Sequence, residues 1–288
     1  MRKLRLKSIK QKRIHYMKKC LAIFFTFCFA TTSFSQKDSV AFNVYKTNLI
    51  KDGAITTSGI ALTALGVKFI NDKQPLNPAE LVNKTKESVF FLDRSSAGFY
   101  SQKADDDSYI PFQASFAMPV LMALINKNER KKFGQIMVLY TETMAITGTL
   151  FTMSAGNINR SRPYVYNTSL TTDMRIDKNA QRAFFAGHTA ATAAATFYMA
   201  KVFSDFNPNS KAKPYVWAFA ASVPALVGYL RYKAGMHFLT DNLLGYAIGA
   251  GAGILVPQLH KVKKLRNVSF VPYGGVSNKG LALIYHIR

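Results

Sequence analysis

The chain has 288 residues, of which 49% are hydrophobic, and its formal net charge at pH 7 is +23. Such a basic balance favours nucleic acid, anionic lipid or a phosphate-rich substrate as the partner. The hydrophobic residues are gathered in long runs, and no zinc-finger spacing or aromatic RNA-binding motif is present. These observations argue against nucleic-acid binding and favour a membrane.

Residues 1–36 have the pattern of an export signal. Basic residues precede an apolar segment over residues 20–30, and Ser33 and Ser35 fit a small-x-small cleavage pattern. An uncleaved N-terminal anchor is the alternative. Both cysteines of the chain lie in the apolar segment, so cleavage would leave a protein without disulfides or thiol chemistry.

Six apolar runs follow, and most have about the length of a helix that crosses a bilayer. Alanine, glycine, serine and threonine are frequent in them, which is typical of closely packed helices in lipid. The sequence therefore predicts an all-α, polytopic membrane bundle of about five to six helices, with a soluble helical bundle as the alternative. The runs are Gly53–Ile70, Tyr109–Asn126, Phe133–Ser154, Ala183–Phe203, Tyr215–Leu230 and Phe238–Leu259.

The chain divides into four predicted parts. Within the last part, Val268–Pro272 and Leu281–Ile287 resemble two short strands around a turn. The long loop from Asn71 to Ser108 is interpreted as solvated, with capping of a site as the alternative. The parts are a signal or anchor (1–36), an N-terminal region with a weak apolar helix and an outer loop (37–111), a membrane core (112–259), and a basic cluster with a short β-like tail (260–288).

Basic clusters indicate the orientation of the bundle. Lys127–Lys132 and Lys261–Arg266 each follow an apolar run, and positively charged loops tend to stay cytoplasmic. Counting spans from these clusters predicts a bacterial inner-membrane protein whose candidate site faces the periplasm. A cleaved signal conflicts with a single crossing by Gly53–Ile70, so either that run does not cross or the signal interpretation is wrong.

Two interior histidines and two arginines lie in three motif stretches that are all predicted to fall on the outer face. Arg162 and Arg231 can each offer a bidentate fork to phosphate oxygens. His188 and His237 titrate near neutrality and are candidates for an acid and a nucleophile. Asp241 follows His237 by four residues, which on a helix would let the carboxylate orient the imidazole.

The second histidine-bearing segment adds a backbone contribution. Gly187 lets the main chain come close to an anion, and the N–H groups of Ala186-Gly187 precede His188. A metal is not expected at this site, because the two arginines would repel a cation. The pattern indicates phosphoryl transfer, which needs cations around the phosphoryl group, a nucleophile in line and an acid for the leaving oxygen.

These residues resemble the type 2 phosphatidic-acid phosphatase superfamily over about residues 112–259. The third family block is matched by Arg231, His237 and Asp241, the second by Gly187-His188, and the first by Arg162-Pro163. The resemblance implies that His237 forms a phosphohistidine supported by Asp241. It also implies that His188 protonates the leaving group, that the arginines bind phosphate, and that no cofactor is required.

The sequence departs from the family pattern at several positions. The family lysine would fall at Ala155 and the second-block serine at Ala186, and loss of such a donor can cost about two orders of magnitude in rate. Phe185 and Leu230 replace a proline and a serine. Nearby cations are candidates to replace the lysine, namely Arg160, Arg175, Lys178 and Arg182.

The expected function is therefore a membrane lipid phosphatase acting on a phosphomonoester or pyrophosphate through a phosphohistidine. The expected partners are the lipid substrate and the membrane. Two alternatives stay open: a degenerate family member that binds lipid phosphate or a partner protein, and an enzyme similar to vanadium haloperoxidases, since vanadate mimics phosphate.

Overall fold

The structure, a computed structural model, describes residues 43–262, 268–274 and 279–285. The predicted export signal lies outside the described residues. So does most of the basic cluster Lys261–Arg266.

In the described part of the chain, six long helices form the bundle, one for each predicted apolar run. Four of them (α1, α2, α3 and α6) are long and apolar enough to cross a membrane, which confirms the prediction of a helical membrane bundle. The helices are α1 (Leu49–Asp72), α2 (Gln102–Ile125), α3 (Phe133–Asn157), α4 (Gly187–Phe206), α5 (Lys213–Lys233) and α6 (Leu239–His260).

Shorter elements connect the long helices. The C-terminal tail forms an antiparallel pair in which strand β1 (Val268–Gly274) lies beside β2 (Lys279–Tyr285), and this confirms the two predicted strands. Short α-helical segments are Lys127–Arg130 and Thr172–Ile176, and single 3₁₀ turns are Pro78–Asn83, Lys86–Ser88, Arg94–Ser96, Pro163–Tyr166 and Lys178–Gln181.

Helix α2 begins seven residues before its predicted run. The Ser101 hydroxyl accepts a hydrogen bond from the Ala104 N–H at 3.2 Å and caps the helix. The acidic residues 105–107, expected in a loop, therefore occupy the first turns, where negative charge complements the helix dipole. The domain boundary expected at residue 112 falls inside this helix.

Close contact between α4 and α6 depends on three glycines of α6 spaced one turn apart. A Cβ atom at Gly249 would overlap the carbonyl oxygen of Ala190, so only glycine permits this separation of the two backbones. Such small-residue stripes let helices approach closely in lipid. The other two pairs are Gly245 with the carbonyl of Ala186, and Gly253 with the carbonyl of Ala194.

The helix ends separate into two groups at opposite ends of the bundle. The Ala186 N–H donates to the Asp241 carbonyl at 3.1 Å, which joins the start of α4 to the start of α6. At the other end, the Lys46 N–H donates to the His260 carbonyl at 2.8 Å. We call the first the site end, because the motif-bearing loops meet there, and the second the basic end, because it carries Lys127–Lys132.

The N-terminal side of α1 therefore lies at the basic end. Helix α1 is continuous over 24 residues and packs along α3, with Gly59 against Ala145 and Gly148 against Thr63. If all six helices cross the membrane, residue 43 and the site end lie on opposite sides. A cleaved signal and an outward-facing site then exclude each other.

Replacing Gly249 by alanine is expected to lower the thermal unfolding midpoint of the purified protein in detergent. Overpacking costs roughly 1–3 kcal/mol, which exceeds the gain of about 1 kcal/mol in helix propensity. Gly251 is the matched control, because a Cβ atom there meets no atom within 4 Å. Gly251→Ala should leave the midpoint unchanged or raise it. A Gly249→Ala protein as stable as the unmodified one would contradict the close contact.

Candidate active site

The loop between α5 and α6 carries His237 and is held in a turn that requires glycine at position 235. Gly235 has a φ of 71°, a conformation that side chains rarely adopt, and its Cβ position would overlap the carbonyl oxygen of Phe99. The carbonyl of Gly235 accepts a hydrogen bond from the Tyr164 N–H at 3.1 Å. The chain before α2 and the chain after Pro163 therefore clamp this loop from two sides.

His237 is almost completely enclosed, with 2% of its surface exposed. Its Nδ1 atom lies 2.7 Å from the carbonyl oxygen of Ala183. Because a carbonyl only accepts, Nδ1 carries the proton and Nε2 keeps its lone pair. Burial lowers the pKa of His237 well below its ordinary value of 6.5, and the charges of Arg162 and Arg231 lower it further. The imidazole is therefore neutral at pH 7, with its nucleophilic nitrogen unprotonated.

Asp241 does not orient His237, contrary to the expectation from their spacing. Helix α6 begins at Leu239, so His237 precedes the helix and the four-residue spacing does not place the two side chains together. The Asp241 carboxylate instead accepts a hydrogen bond from the Phe238 N–H at 2.9 Å, which caps α6, and binds Arg160. The carbonyl of Ala183 takes the orienting place predicted for the carboxylate.

Arg160 joins two acidic side chains. Its guanidinium forms ion pairs with Asp241 and, at 2.6 Å, with Asp93. Asp93 also accepts hydrogen bonds from the Thr240 N–H at 3.0 Å and from the Thr240 hydroxyl at 2.6 Å. The charge of Arg160 is thus already compensated, which weakens its candidacy as a phosphate ligand and makes it a structural tie across the site.

Arg231 is also paired inside the protein. It forms an ion pair with Asp105 of α2, and its guanidinium lies 3.4 Å from the Ser108 hydroxyl and 5.9 Å from the centre of the Tyr109 ring. Only 2% of Arg231 is exposed. The sequence did not reveal this partner, although the acidic run at 105–107 was visible in it.

Among the arginines predicted to bind phosphate, Arg162 is the one whose charge is least compensated by neighbouring groups. Its Nη1 atom donates to the sulfur of Met236 at 3.0 Å, and its buried Nε atom has no hydrogen-bond partner among the described residues. Burial lowers the pKa of its guanidinium, and the neighbouring charges of Arg231 and Arg182 lower it further. A cation held in this way favours an anionic ligand.

His188 lies in the first turn of α4, at the site end. Its ring packs against Phe112, with 4.2 Å between ring centres, and against Tyr109 at 5.1 Å. Tyr109 also contacts Arg231, so this ring connects the second and third motifs. Gly187 is required for packing, because a Cβ atom there would overlap the Phe151 ring.

The backbone beside His188 differs from the expectation in one respect. The Ala186 N–H, predicted to face the anion, donates to the Asp241 carbonyl at 3.1 Å. The N-terminal end of α4 still points toward the site, and the first-turn N–H groups of a helix favour negative charge.

Two further cations lie beside Arg162. The Lys73 ammonium donates to the carbonyls of Ile158 at 2.6 Å and Gln181 at 3.1 Å, and Arg182 donates to the carbonyl of Ile70 at 2.8 Å. Burial, together with the charges of Arg182 and Arg162, lowers the pKa of Lys73 to about 8. Both cations bind carbonyl groups, whose dipoles leave a net positive charge.

Lys73 was missed by the sequence analysis, because it lies 82 residues before Ala155, the position of the family lysine. In space it contacts Ile158, only three residues beyond Ala155. The other suggested replacements face elsewhere: Arg175 donates to the carbonyl of Val165 at 2.7 Å, and Lys178 lies 3.5 Å from the carbonyl of Asn71.

Residues 73–101, which we call the cap segment, pack over the site end instead of forming a solvated loop. Leu76, Val89, Asp93 and Ala97 of this segment are buried. The carbonyl of Gly98 accepts a hydrogen bond from the Asn167 side chain at 2.9 Å. The interpretation of this segment as a solvated loop was wrong, and the capping alternative describes it.

Comparison with known proteins supports the resemblance drawn from the motifs. The profile of the PAP2 superfamily matches residues 136–264, a range that contains both histidines and all three blocks. No curated protein and no solved structure shows a significant match to the chain. Residues 136–264 are thus similar to the PAP2 superfamily, a family of phosphatases and related proteins that act on phosphate esters.

The protonation of His237 can be measured directly. In protein labelled with ¹⁵N-histidine, Nε2 of His237 is expected to show the shift of an unprotonated nitrogen at pH 7, because its pKa lies below 6.5. Protonation therefore opposes folding, and its cost in stability should grow as the pH falls below about 6.5. His237→Gln assigns the resonance. A doubly protonated ring at pH 7 would contradict the geometry.

Proposed function

We propose that this protein is a membrane lipid phosphatase that hydrolyses a phosphomonoester or pyrophosphate through a phosphohistidine at His237. The observation that carries the proposal is the neutral His237 imidazole, whose Nδ1–H is held by the Ala183 carbonyl near Arg162, the least compensated arginine of the site. A buried base with a free lone pair near a phosphate-binding cation is what nucleophilic phosphoryl transfer requires.

The reaction proceeds in two steps. In the first, Nε2 of His237 attacks the phosphorus, a nitrogen–phosphorus bond forms, and the bond to the leaving oxygen breaks while His188 gives that oxygen a proton. In the second, His188 takes a proton from water, the water oxygen attacks the phosphorus, and the nitrogen–phosphorus bond breaks. Inorganic phosphate leaves, and both histidines return to their starting states.

Phosphate binding is assigned to the cations that form no ion pair with a carboxylate among the described residues. Arg162 bears the main role, and Lys73 and Arg182 supply the charge that the family lysine would give at Ala155. Arg231, though paired with Asp105, remains a candidate ligand through its remaining guanidinium N–H groups. The N-terminal end of α4 beginning at Gly187 adds backbone donors.

Exposed apolar residues beside the site favour a lipid substrate. The cap segment exposes Phe90, Phe91 and Leu92, with 64% of the Phe91 surface accessible. The next residue, Asp93, binds Thr240, so this apolar stretch lies beside the start of α6, where Leu243 is also exposed. An apolar path from the lipid-facing helix to the site end suits a substrate whose chain stays in the bilayer.

We also propose that the protein lies in a bacterial inner membrane with its site end facing the periplasm, since the basic cluster Lys127–Lys132 lies at the other end. In a background with both cysteines changed to alanine, Thr168→Cys should react with a membrane-impermeant thiol reagent in spheroplasts. Asn209→Cys, at the basic end, should react only after lysis. The reverse pattern would overturn this orientation.

The pairing of two arginines with acidic residues also fits a degenerate member that binds lipid phosphate without turnover. Asp105 holds Arg231, while Asp93 and Asp241 hold Arg160, so phosphate must compete with internal carboxylates. Lipid-phosphate binding without phosphate release would favour this second function. Oxidation of bromide by the vanadate-loaded protein would favour the haloperoxidase-like one.

Two substrates with different leaving groups distinguish the proposed roles of His237 and His188. His237→Ala should abolish phosphate release from every substrate, because no nucleophile remains. His188→Asn should lower release from a lipid phosphomonoester by about 100-fold or more, but much less with p-nitrophenyl phosphate, whose leaving group needs no proton. Release is measured in mixed micelles, with Lys103→Gln, an exposed change, as control. Equal losses on both substrates would contradict the acid role of His188.

Lys73 is expected to replace the family lysine. Phosphate release should decline as the pH rises through about 8, where the Lys73 ammonium loses its proton. Lys73→Gln should lower release by about 100-fold, as for loss of a donor to the transition state, and should remove this alkaline decline. Lys68→Gln, an exposed change in the last turns of α1, five residues before Lys73, is the control. Unchanged rates in Lys73→Gln would show that another cation fills the place.

A further inference from the structure

A second cluster of ionisable side chains lies inside the bundle near the basic end, away from the motif residues. It brings together Asp52 from the first turn of α1, Glu142 from α3 and His260 at the end of α6, with one ligand atom of each within 4.8 Å of the others. Asp52 and Glu142 are buried, and His260 is partly buried. Ionisable groups inside membrane helices are costly unless they are paired or bind something.

The orientation of His260 is that of a metal ligand. Its Nδ1 atom lies 2.8 Å from the carbonyl oxygen of Val256, so Nδ1 carries a proton, and Nε2 presents its lone pair when the ring is neutral. That Nε2 atom faces the Asp52 Oδ1 atom at 3.3 Å and the Glu142 Oε2 atom at 3.7 Å. A backbone carbonyl on the other ring nitrogen is the usual support of a metal-bound histidine.

One carboxylate oxygen in the cluster has no hydrogen-bond partner in the part of the chain that the structure describes. Glu142 is 3% exposed, and its Oε2 atom is buried without a hydrogen bond among the described residues. The other Asp52 oxygen is used by the Asn48 N–H at 2.7 Å, which caps α1. An unpartnered carboxylate oxygen aimed at a histidine nitrogen needs either a proton or a cation between them.

The charges of the cluster favour a divalent cation. Two carboxylates and a neutral imidazole carry two negative charges, and in the described part of the chain no lysine or arginine pairs with Asp52 or Glu142. Protonation of His260 would offset only one of these charges. A divalent ion would offset both, in a region where uncompensated charge is expensive.

We propose that Asp52, Glu142 and His260 bind a divalent transition-metal ion such as zinc. Metal–ligand bonds of about 2.0–2.1 Å in a tetrahedral site place the ligand atoms about 3.3 Å apart, close to the separations around His260 Nε2. The mixed nitrogen and oxygen donors suit zinc better than calcium or magnesium, which prefer oxygen ligands. The ion ties α1 and α3 to the end of α6, and it takes no part in the phosphoryl site.

The test measures zinc binding to the full-length protein in detergent, with any purification tag removed and both cysteines changed to alanine. After treatment with a chelator and its removal, zinc is titrated against a competing indicator. About one zinc ion should bind per chain and raise the unfolding midpoint. Glu142→Gln and His260→Gln should each weaken binding by at least about tenfold and abolish the rise in midpoint.

Asp205→Asn is the matched control, because Asp205 is a carboxylate with little exposed surface near the same end that is already paired with Lys201 and Lys261. It should leave zinc affinity unchanged. Equal zinc binding by the parent and the Glu142 and His260 variants would overturn the proposal, as would no binding by the folded parent.

A second measurement tests the proposal if the Glu142 and His260 variants do not fold. The parent loaded with cobalt should show the intense visible absorption of a four-coordinate ion with nitrogen and oxygen donors. The weak absorption of a six-coordinate ion would overturn the proposal and leave an internal ion pair as the account of the cluster. Phosphate release is not the readout, so the outcome is independent of the proposed phosphatase activity.

Discussion

The close approach of α4 and α6 is the constraint on which the rest of the site depends. Because Gly249 has no side chain, the backbones meet, and the Ala186 N–H at the start of α4 reaches the Asp241 carbonyl at the start of α6. That contact fixes the two motif-bearing ends in one register. His188 and His237 then share one end of the bundle, although they are far apart in the sequence.

The electrostatics of the site depend on whether the charge of each cation is compensated by a carboxylate. Arg160 and Arg231 are held by carboxylates and serve mainly to join the cap segment and α2 to the core. Among the described residues, Arg162 and Lys73 have only sulfur or carbonyl hydrogen-bond partners, so their charge remains available to an anion. Burial keeps His237 neutral, and the charge of Arg162 adds to this effect, so a phosphate-binding cation also helps to prepare the nucleophile.

The helices and the motif residues were predictable because their patterns are local. Each apolar run became one helix, and the tail became two strands, since hydropathy and turn residues act within a few neighbours. The predicted pairing of His237 with Asp241 was wrong because α6 begins only at Leu239. His237 therefore lies outside the helix, and the four-residue spacing does not place the two side chains on one face. The cap segment was misread as solvated because its few buried residues form no periodic pattern.

The sequence by itself determined the fold class, the family resemblance and the identity of the two candidate histidines. Only the tertiary structure decided which charges are paired, that Lys73 lies near Ala155, and that Asp52, Glu142 and His260 meet inside the bundle. The physical reason is the sequence separation over which each interaction acts. Hydrophobic periodicity is visible within a short stretch of the sequence. Coulombic and hydrogen-bond partners depend on which distant segments come close together in the fold.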